Sequence, residues 1–149
     1  VIRFCTYAWC SRTINAAPIV DAAEGVFRYS AAGHPPLLRA GVAELQEIEK
    51  NGILLGFLEH ADYEVHEQRL DPGDRLLMYT DGMFEAQNRA GDFYGIDRLK
   101  TTLAAARVLD PPAAVGSMLE AMTSWSGLPA NDDLTLVLVD RGVPATAVR

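Results

Sequence analysis

The order of the secondary-structure signals predicts an α+β fold for this chain of 149 residues. Short segments of alternating apolar and polar residues fill the first half, and such alternation is typical of strands. Two segments of helical periodicity follow, and an apolar run rich in β-formers comes last. Strands, two consecutive helices and a closing strand indicate antiparallel sheets packed against helices in one domain, and 149 residues suffice for such a core.

The first predicted strands form a meander. The turn Asp71-Pro72-Gly73-Asp74 closes it, because Pro and Gly pre-set a chain reversal. Residues 10–20 show no clear pattern and are expected to be irregular. The alternating segments before the turn are 26–30, 37–39 after a Gly-His-Pro-Pro loop, 43–48 and 63–70.

Two later strands are apolar on both faces. They are Leu76 to Tyr79, shortly after the turn, and Leu136 to Val139, near the C-terminus. A strand that is apolar on both faces is covered on both sides, so the sequence predicts stacked layers.

Two helices are predicted between these strands. Asp110 is a suitable N-cap for the second helix, and Pro111 fits its first turn, where the missing N–H costs nothing. Helical spacing relates Ile96, Leu99, Leu103 and Ala106 in the first helix, and Val115, Met118, Leu119 and Met122 in the second. These apolar stripes indicate core packing.

The charge and hydropathy of the chain exclude some partners. The net charge is −7 and no basic run occurs, which argues against nucleic acid, because phosphate backbones are bound by clustered Lys and Arg. No apolar run approaches the roughly 20 residues of a membrane-spanning helix, so no membrane partner is expected. The N-terminus lacks the regions of a signal peptide, and a cytoplasmic location is expected.

Carboxylates stand at the ends of both apolar strands. Asp81 follows the first strand, and Asp132 and Asp133 precede the second. Asp81-Gly82 taken alone is also a hairpin-turn signal. If the two strands lie antiparallel side by side, however, the three acids meet at one edge and repel one another unless a cation lies between them. Oxygen ligands without nearby Cys or His favour Mg²⁺, Mn²⁺ or Ca²⁺ over Zn²⁺.

Six segments together resemble the bacterial SpoIIE/RsbU-like branch of the PPM-type metal-dependent serine/threonine phosphatases. Each segment is short, but all six occur in the order found in that family, which makes the match specific. The segments are Ala32-Gly33-His34-Pro35-Pro36, Leu54-Leu55-Gly56, Leu70-Asp71-Pro72-Gly73-Asp74, Tyr79-Thr80-Asp81-Gly82 with Glu85-Ala86, Phe93-Tyr94-Gly95, and Asp132-Asp133-Leu134-Thr135.

The resemblance implies an αββα sandwich with two Mn²⁺ or Mg²⁺ ions at one end of its sheets. It implies that Asp81 and Asp132 act in catalysis as metal ligands, and Asp133 matches the neighbouring family position. The implied activity is hydrolysis of phosphoserine or phosphothreonine by metal-activated water. The implied partner is a phosphorylated regulatory protein, such as an anti-sigma-factor antagonist.

One family segment has no counterpart in this sequence. The family carries an Asp-x-x-Gly-His-Gly segment upstream of Gly-His-Pro-Pro, whose Asp bridges both metals, and residues 1–30 contain no such motif. Residues 1–140 are therefore expected to be the C-terminal portion of the catalytic domain, forming a partial αββα sandwich, with a flexible tail at 141–149. We expect the isolated chain to be weakly active or inactive, and to self-associate through an uncovered sheet edge.

Two alternatives remain at this point. The first is a non-catalytic interaction module, a truncated phosphatase or pseudophosphatase, and the missing upstream Asp motivates it. The second is a calcium-binding structural domain, although no segment has the acid spacing of an EF-hand.

Overall fold

A computed structural model describes residues 2–9, 16–21, 24–49, 51–127 and 133–142, which form three layers. One layer consists of helices and the other two are antiparallel sheets. In chain order, the elements of the described part are β1 (Ile2–Trp9), β2 (Ala16–Asp21), β3 (Val26–Ala31), β4 (Leu37–Ala40), β5 (Leu45–Ile48), β6 (His66–Arg69), β7 (Arg75–Tyr79), α1 (Ile96–Ala105), α2 (Pro111–Ser126) and β8 (Leu134–Arg141).

The strands divide into a five-stranded sheet and a three-stranded sheet. The larger sheet has the order β1-β8-β7-β4-β5, and the smaller one has the order β2-β3-β6. All neighbouring strands run antiparallel. The α+β class and the antiparallel sheets are therefore confirmed, with the two helices directly before the last strand.

Strand β7 lies between two apolar layers because its side chains alternate. Leu77 and Tyr79 belong to a buried cluster that includes apolar side chains of α1 and α2. Leu76 and Met78 belong to a second cluster, between the two sheets, which includes Phe27 and other side chains of β3. The stacked layers predicted from the doubly apolar strands are confirmed.

The second helix begins as its sequence predicts. The Asp110 carboxylate accepts a hydrogen bond from the amide of Ala113 at 2.9 Å, and Pro111 lies in the first turn. The helix ends at Ser126, and its C-cap residue is Gly127, whose φ of 60° suits glycine best.

The turn before β7 closes as predicted from its Pro and Gly. The amide of Asp74 donates to the carbonyl of Asp71 at 2.9 Å, and Gly73 between them has a φ of 93°. A positive φ at the third position is the requirement that makes Gly preferred after Pro in such a turn.

The expectation of an irregular segment at residues 10–20 was wrong for its second half. Residues 16–21 form β2, which pairs with β3, and residues 10–15 lie outside the described part. Because β2 is an edge strand, Pro18 can be accommodated without removing a hydrogen bond from the centre of a sheet.

The strand predicted over residues 63–70 is shorter in the structure and spans only His66–Arg69. The place beside the end of β3 is taken by Gly52, whose amide donates to the carbonyl of Ala31 at 2.8 Å. Residues 63–65 therefore have no edge with which to pair. The strand predicted over 43–48 is likewise shorter, because a tight turn joins Gly41 to Glu44.

Strand β8 extends to Arg141, and residues 143–149 of the predicted tail lie outside the described part. No helix among the described residues has both the length and the apolar character needed to cross a membrane.

Candidate functional site

The two strands with carboxylates at their ends are antiparallel neighbours. Tyr79, the last residue of β7, is paired with Leu136 near the start of β8. The residues that follow β7 and the residues that precede β8 therefore lie at the same edge of the five-stranded sheet. This is the arrangement that the sequence predicted for Asp81 and Asp133.

Thr80 joins these two strand ends with its side chain as well as its backbone. Its hydroxyl donates to the carbonyl oxygen of Asp133 at 2.8 Å and accepts from the amide of Thr135 at 2.9 Å. Its amide donates to the carbonyl of Thr135 at 3.1 Å. Three hydrogen bonds thus fix the backbone next to both carboxylates.

Asp81 begins a short 3-10 helix, Asp81–Met83, and its side chain is exposed. Its carboxylate accepts from the amide of Gly82 at 3.0 Å, and its carbonyl accepts from the amides of Phe84 and Glu85. Met83 is fully buried under the helical layer and anchors the turn. The hairpin-turn alternative for Asp81-Gly82 is therefore wrong.

The structure describes two of the three candidate metal ligands. Asp133 is half-buried at the entrance to β8, whereas Asp132 lies outside the described part. Within that part, no group of three or more His, Cys, Asp or Glu side chains could hold a metal ion. Asp81 and Asp133 have the hard oxygen donors that suit Mg²⁺ or Mn²⁺, but two carboxylates provide fewer oxygens than the six or so that these ions take.

The Gly-His-Pro-Pro loop lies at the same end of the sheet as Asp81. It leads into β4, which runs antiparallel to β7, so the start of β4 lies beside the end of β7. The ring of His34 packs edge-on against Tyr79, with 6.4 Å between ring centroids.

His34 is buried, with 4% of its surface exposed. Its Nδ1 lies 2.6 Å from the carbonyl oxygen of Pro35, while Nε2 has no hydrogen-bond partner among the described residues. Burial lowers the pKa of this imidazole, because desolvation disfavours the charged form. These contacts fit a histidine that shapes the loop.

Asn51 holds the same loop and was not singled out by the sequence. Its carboxamide oxygen accepts from the amides of Gly33 and His34 at 2.9 and 3.3 Å, and its Nδ2 donates to the carbonyl of His34 at 2.6 Å. The only sequence signal is an Asn-Gly pair 17 residues after His34, which reads as an ordinary turn.

The far end of β7 is fixed by a buried ion pair. Arg75 is 2% exposed and makes two hydrogen bonds to the carboxylate of Asp140, at 2.7 and 2.6 Å. The same guanidinium donates to the carbonyls of Ala106 and Leu109 in the connection between α1 and α2. Arg75 therefore joins the helical layer to the strand that leads to Asp81.

Comparison with known proteins supports one family. A family model described as Stage II sporulation protein E (SpoIIE) matches residues 3–142. Protein IcfG of Synechocystis sp. is 28% identical over 88 residues, which cover 58% of this chain and 14% of that protein. Phosphoserine phosphatase RsbU of Bacillus subtilis is 24% identical over 119 residues, which cover 78% of this chain and 35% of that protein.

Solved structures share the fold. The RsbU and RsbW domains of Rv1364c from Mycobacterium tuberculosis match with a TM-score of 0.70 and 27% identity, over 88% of this chain and 36% of that one. The Mn-presoaked phosphatase domain of SpoIIE from Bacillus subtilis matches with a TM-score of 0.66 and 21% identity, over 90% of this chain and 58% of that one.

The chain thus spans about a third of RsbU and a smaller share of IcfG. The family match nevertheless covers almost all of the sequence. Both the three-layered fold and the matched residues agree with it. The chain belongs to the SpoIIE family, in the SpoIIE/RsbU-like branch of the PPM-type (PP2C) phosphatase domains.

Proposed function

We propose that this chain carries part of the metal site of a serine/threonine protein phosphatase, with Asp81, Asp132 and Asp133 as metal ligands. The observation that carries the proposal is the pair of hydrogen bonds made by the Thr80 hydroxyl, which hold the backbone next to Asp81 and Asp133 at one sheet edge. Carboxylates held at one edge repel each other unless a cation lies between them.

The proposed metal is Mn²⁺ or Mg²⁺, with two ions in the complete family site. When bound, such ions lower the pKa of water and neutralise phosphate charge. The chain itself supplies exposed carboxylate oxygen at Asp81 and a fixed backbone at Asp133. The net charge of the chain is −7, so bound cations would also offset the electrostatic repulsion between a phosphate and the carboxylates of the site.

The proposed substrate is phosphoserine or phosphothreonine on a regulatory protein, such as an anti-sigma-factor antagonist. The similarity to a phosphoserine phosphatase, RsbU, supports this substrate class. The chain covers only part of that relative, so the ligands and strands that complete the activity are proposed to come from outside these 149 residues.

Substitution of the carboxylates tests the proposal. In the complete gene product, Asp81→Asn and Asp132→Asn are expected to lower Mn²⁺ affinity, measured by calorimetry, and Mn²⁺-dependent phosphate release from a phosphoserine peptide, each at least tenfold. Asp97→Asn is the matched control, because it removes an exposed carboxylate at the start of α1. Full phosphate release by both site variants would contradict the proposal.

A non-catalytic interaction module is the second candidate. It is favoured by the lack of an Asp-x-x-Gly-His-Gly segment within the 149 residues. It predicts no metal-dependent phosphate release, and calorimetry showing two tightly bound Mn²⁺ ions on this chain would count against it.

A further inference from the structure

Five large apolar side chains are exposed within six consecutive positions, residues 53–58, which we call the apolar loop. Exposed apolar residues scattered singly are common, whereas a run of them on a folded domain is a candidate interaction surface. The side chains are between 38% and 71% exposed: Ile53, Leu54, Leu55, Phe57 and Leu58.

The apolar loop lies at the sheet end that carries Asp81. At its base, Gly52 accepts a hydrogen bond from the amide of Gly33 at 2.9 Å, and the loop of Gly33 leads to His34. His34 packs against Tyr79, two residues before Asp81. A protein held on the apolar loop would therefore be close to the candidate metal site.

The base of the apolar loop is held in a defined conformation. Asn51 makes three hydrogen bonds to the Gly-His-Pro-Pro loop, and Gly52 accepts one from Gly33 of that loop and donates one to Ala31 at the end of β3. The amide of Phe57 donates to the carbonyl of Leu54 at 3.2 Å, which closes a turn around Gly56. A preformed surface loses less conformational entropy when a partner binds.

The segment that follows the apolar loop is acidic. Glu59, Asp62 and Glu64 follow it directly and are exposed. Residues 51–65 contain no Lys or Arg. Such a surface attracts a basic partner and repels an acidic one.

We propose that the apolar loop is a docking surface for the phosphorylated protein, and that it takes a segment with one or two large apolar side chains next to Lys or Arg. That the docked partner is the phosphorylated substrate rests on the proposed function. The expected chemistry of the docked segment rests on the exposure and the charge of the apolar loop and the residues after it. A second copy of this chain is disfavoured as the occupant, since two loops face to face would bring six acids together.

Binding of three labelled peptides of equal length tests the proposal by fluorescence anisotropy. The first contains Leu and Phe beside Arg and Lys, the second has Ser for Leu and Phe, and the third has Glu for Arg and Lys. The chain is expected to bind the first peptide at least tenfold more tightly than either other peptide, with an affinity that falls as salt is added. Equal binding of all three would overturn the proposal.

Variants locate the binding surface. Leu55→Ser and Phe57→Ser are expected to weaken binding of the first peptide at least fivefold. Val108→Ser is the matched control, because Val108 is 90% exposed and lies in the connection held by Arg75, at the opposite end of β7. Equal weakening by Val108→Ser would overturn the proposal, as would a dimer in sedimentation that Phe57→Ser converts to a monomer.

One further variant separates this proposal from the proposed function. Asp81→Asn is expected to bind the unphosphorylated first peptide as the unmodified chain does, since Asp81 has no part in the apolar loop. If no peptide binds but phosphate release depends on Mn²⁺ and Asp81, only the docking proposal fails. If the peptide binds but phosphate release does not require Asp81, only the proposal of a metal site at Asp81 is contradicted.

Discussion

The hydroxyl of Thr80 donates to the carbonyl oxygen of Asp133 and accepts from the amide of Thr135, so one side chain joins the end of β7 to the start of β8. This contact links two segments that are more than 50 residues apart in sequence. The hydroxyl acts as a donor and as an acceptor at the same time, which makes this position sensitive to substitution.

Thr80→Val is expected to reduce the free energy of unfolding by about 1–2 kcal/mol, because it removes the hydroxyl that bonds to the Asp133 carbonyl and the Thr135 amide. Urea denaturation measures the change. Thr80→Ser keeps the hydroxyl and should restore most of the stability. Thr101→Val is the control, since the Thr101 hydroxyl bonds only to the preceding turn of its own helix. A loss at Thr101 equal to the loss at Thr80 would contradict the role assigned to Thr80.

Asp140→Ala is expected to destabilise the fold by about 3 kcal/mol or more, because it leaves the buried guanidinium of Arg75 without its charge partner. Glu67→Ala is the matched control. It breaks an exposed pair with Arg28 and should cost less than about 1 kcal/mol. Denaturant titration of both variants measures the difference, and similar losses would show that burial of Arg75 does not matter.

His34 should make stability depend on pH. Its folded-state pKa lies below the ordinary value of 6.5 because the ring is buried, so the unfolded chain binds a proton more readily than the folded one. This contribution is fully present above about pH 6.5 and is lost as the pH falls toward the folded-state pKa, by at most about 1.4 kcal/mol per pH unit.

Urea denaturation of the unmodified chain and of His34→Gln between pH 8 and pH 5 measures that contribution. The stability advantage of the unmodified chain is expected to shrink as the pH falls. His60→Gln, at an exposed position, should retain the pH dependence of the unmodified chain. A constant difference between His34→Gln and the unmodified chain at every pH would contradict the prediction.

Asn51→Ala is expected to loosen the Gly-His-Pro-Pro loop, because three hydrogen bonds to Gly33 and His34 are lost. Hydrogen exchange at both amides should become faster, and the increase should be larger at His34, because the Gly33 amide also donates to Gly52 at 2.9 Å. Asn88→Ala is the control, since Asn88 bonds within its own turn and to Asp92. Unchanged exchange at both amides in Asn51→Ala would show that the loop is held by other contacts.

Much of the fold could be predicted from local patterns. Apolar faces on β7 and β8 predicted the layers, and Asp110 with Pro111 predicted the start of α2, because periodicity and caps depend only on neighbouring residues. Residues 63–65 were wrongly predicted to be part of a strand. Gly52, which is distant in sequence, occupies the edge of β3 with which they would pair.

The site was predictable in a similar, partial way. The acids at both strand ends indicated where Asp81 and Asp133 lie, and the register of β7 and β8 agrees. The role of Asn51 could not be predicted, because its partners are backbone groups about 17 residues away and a backbone group leaves no signal in the sequence. The roles of Asp81, Asp132 and Asp133 as metal ligands remain predictions.

Strand β7 is pinned to β8 at both of its ends, by Arg75 with Asp140 and by Thr80 with Thr135. Sliding one strand along the other by two residues, about 7 Å, would keep every apolar side chain on its own face. The same shift would break the hydrogen bonds of Arg75 with Asp140 and of Thr80 with Thr135. The backbone spacing between Asp81 and Asp133 is therefore fixed, and rotation of their side chains is the remaining freedom with which this edge could adjust to the proposed ions.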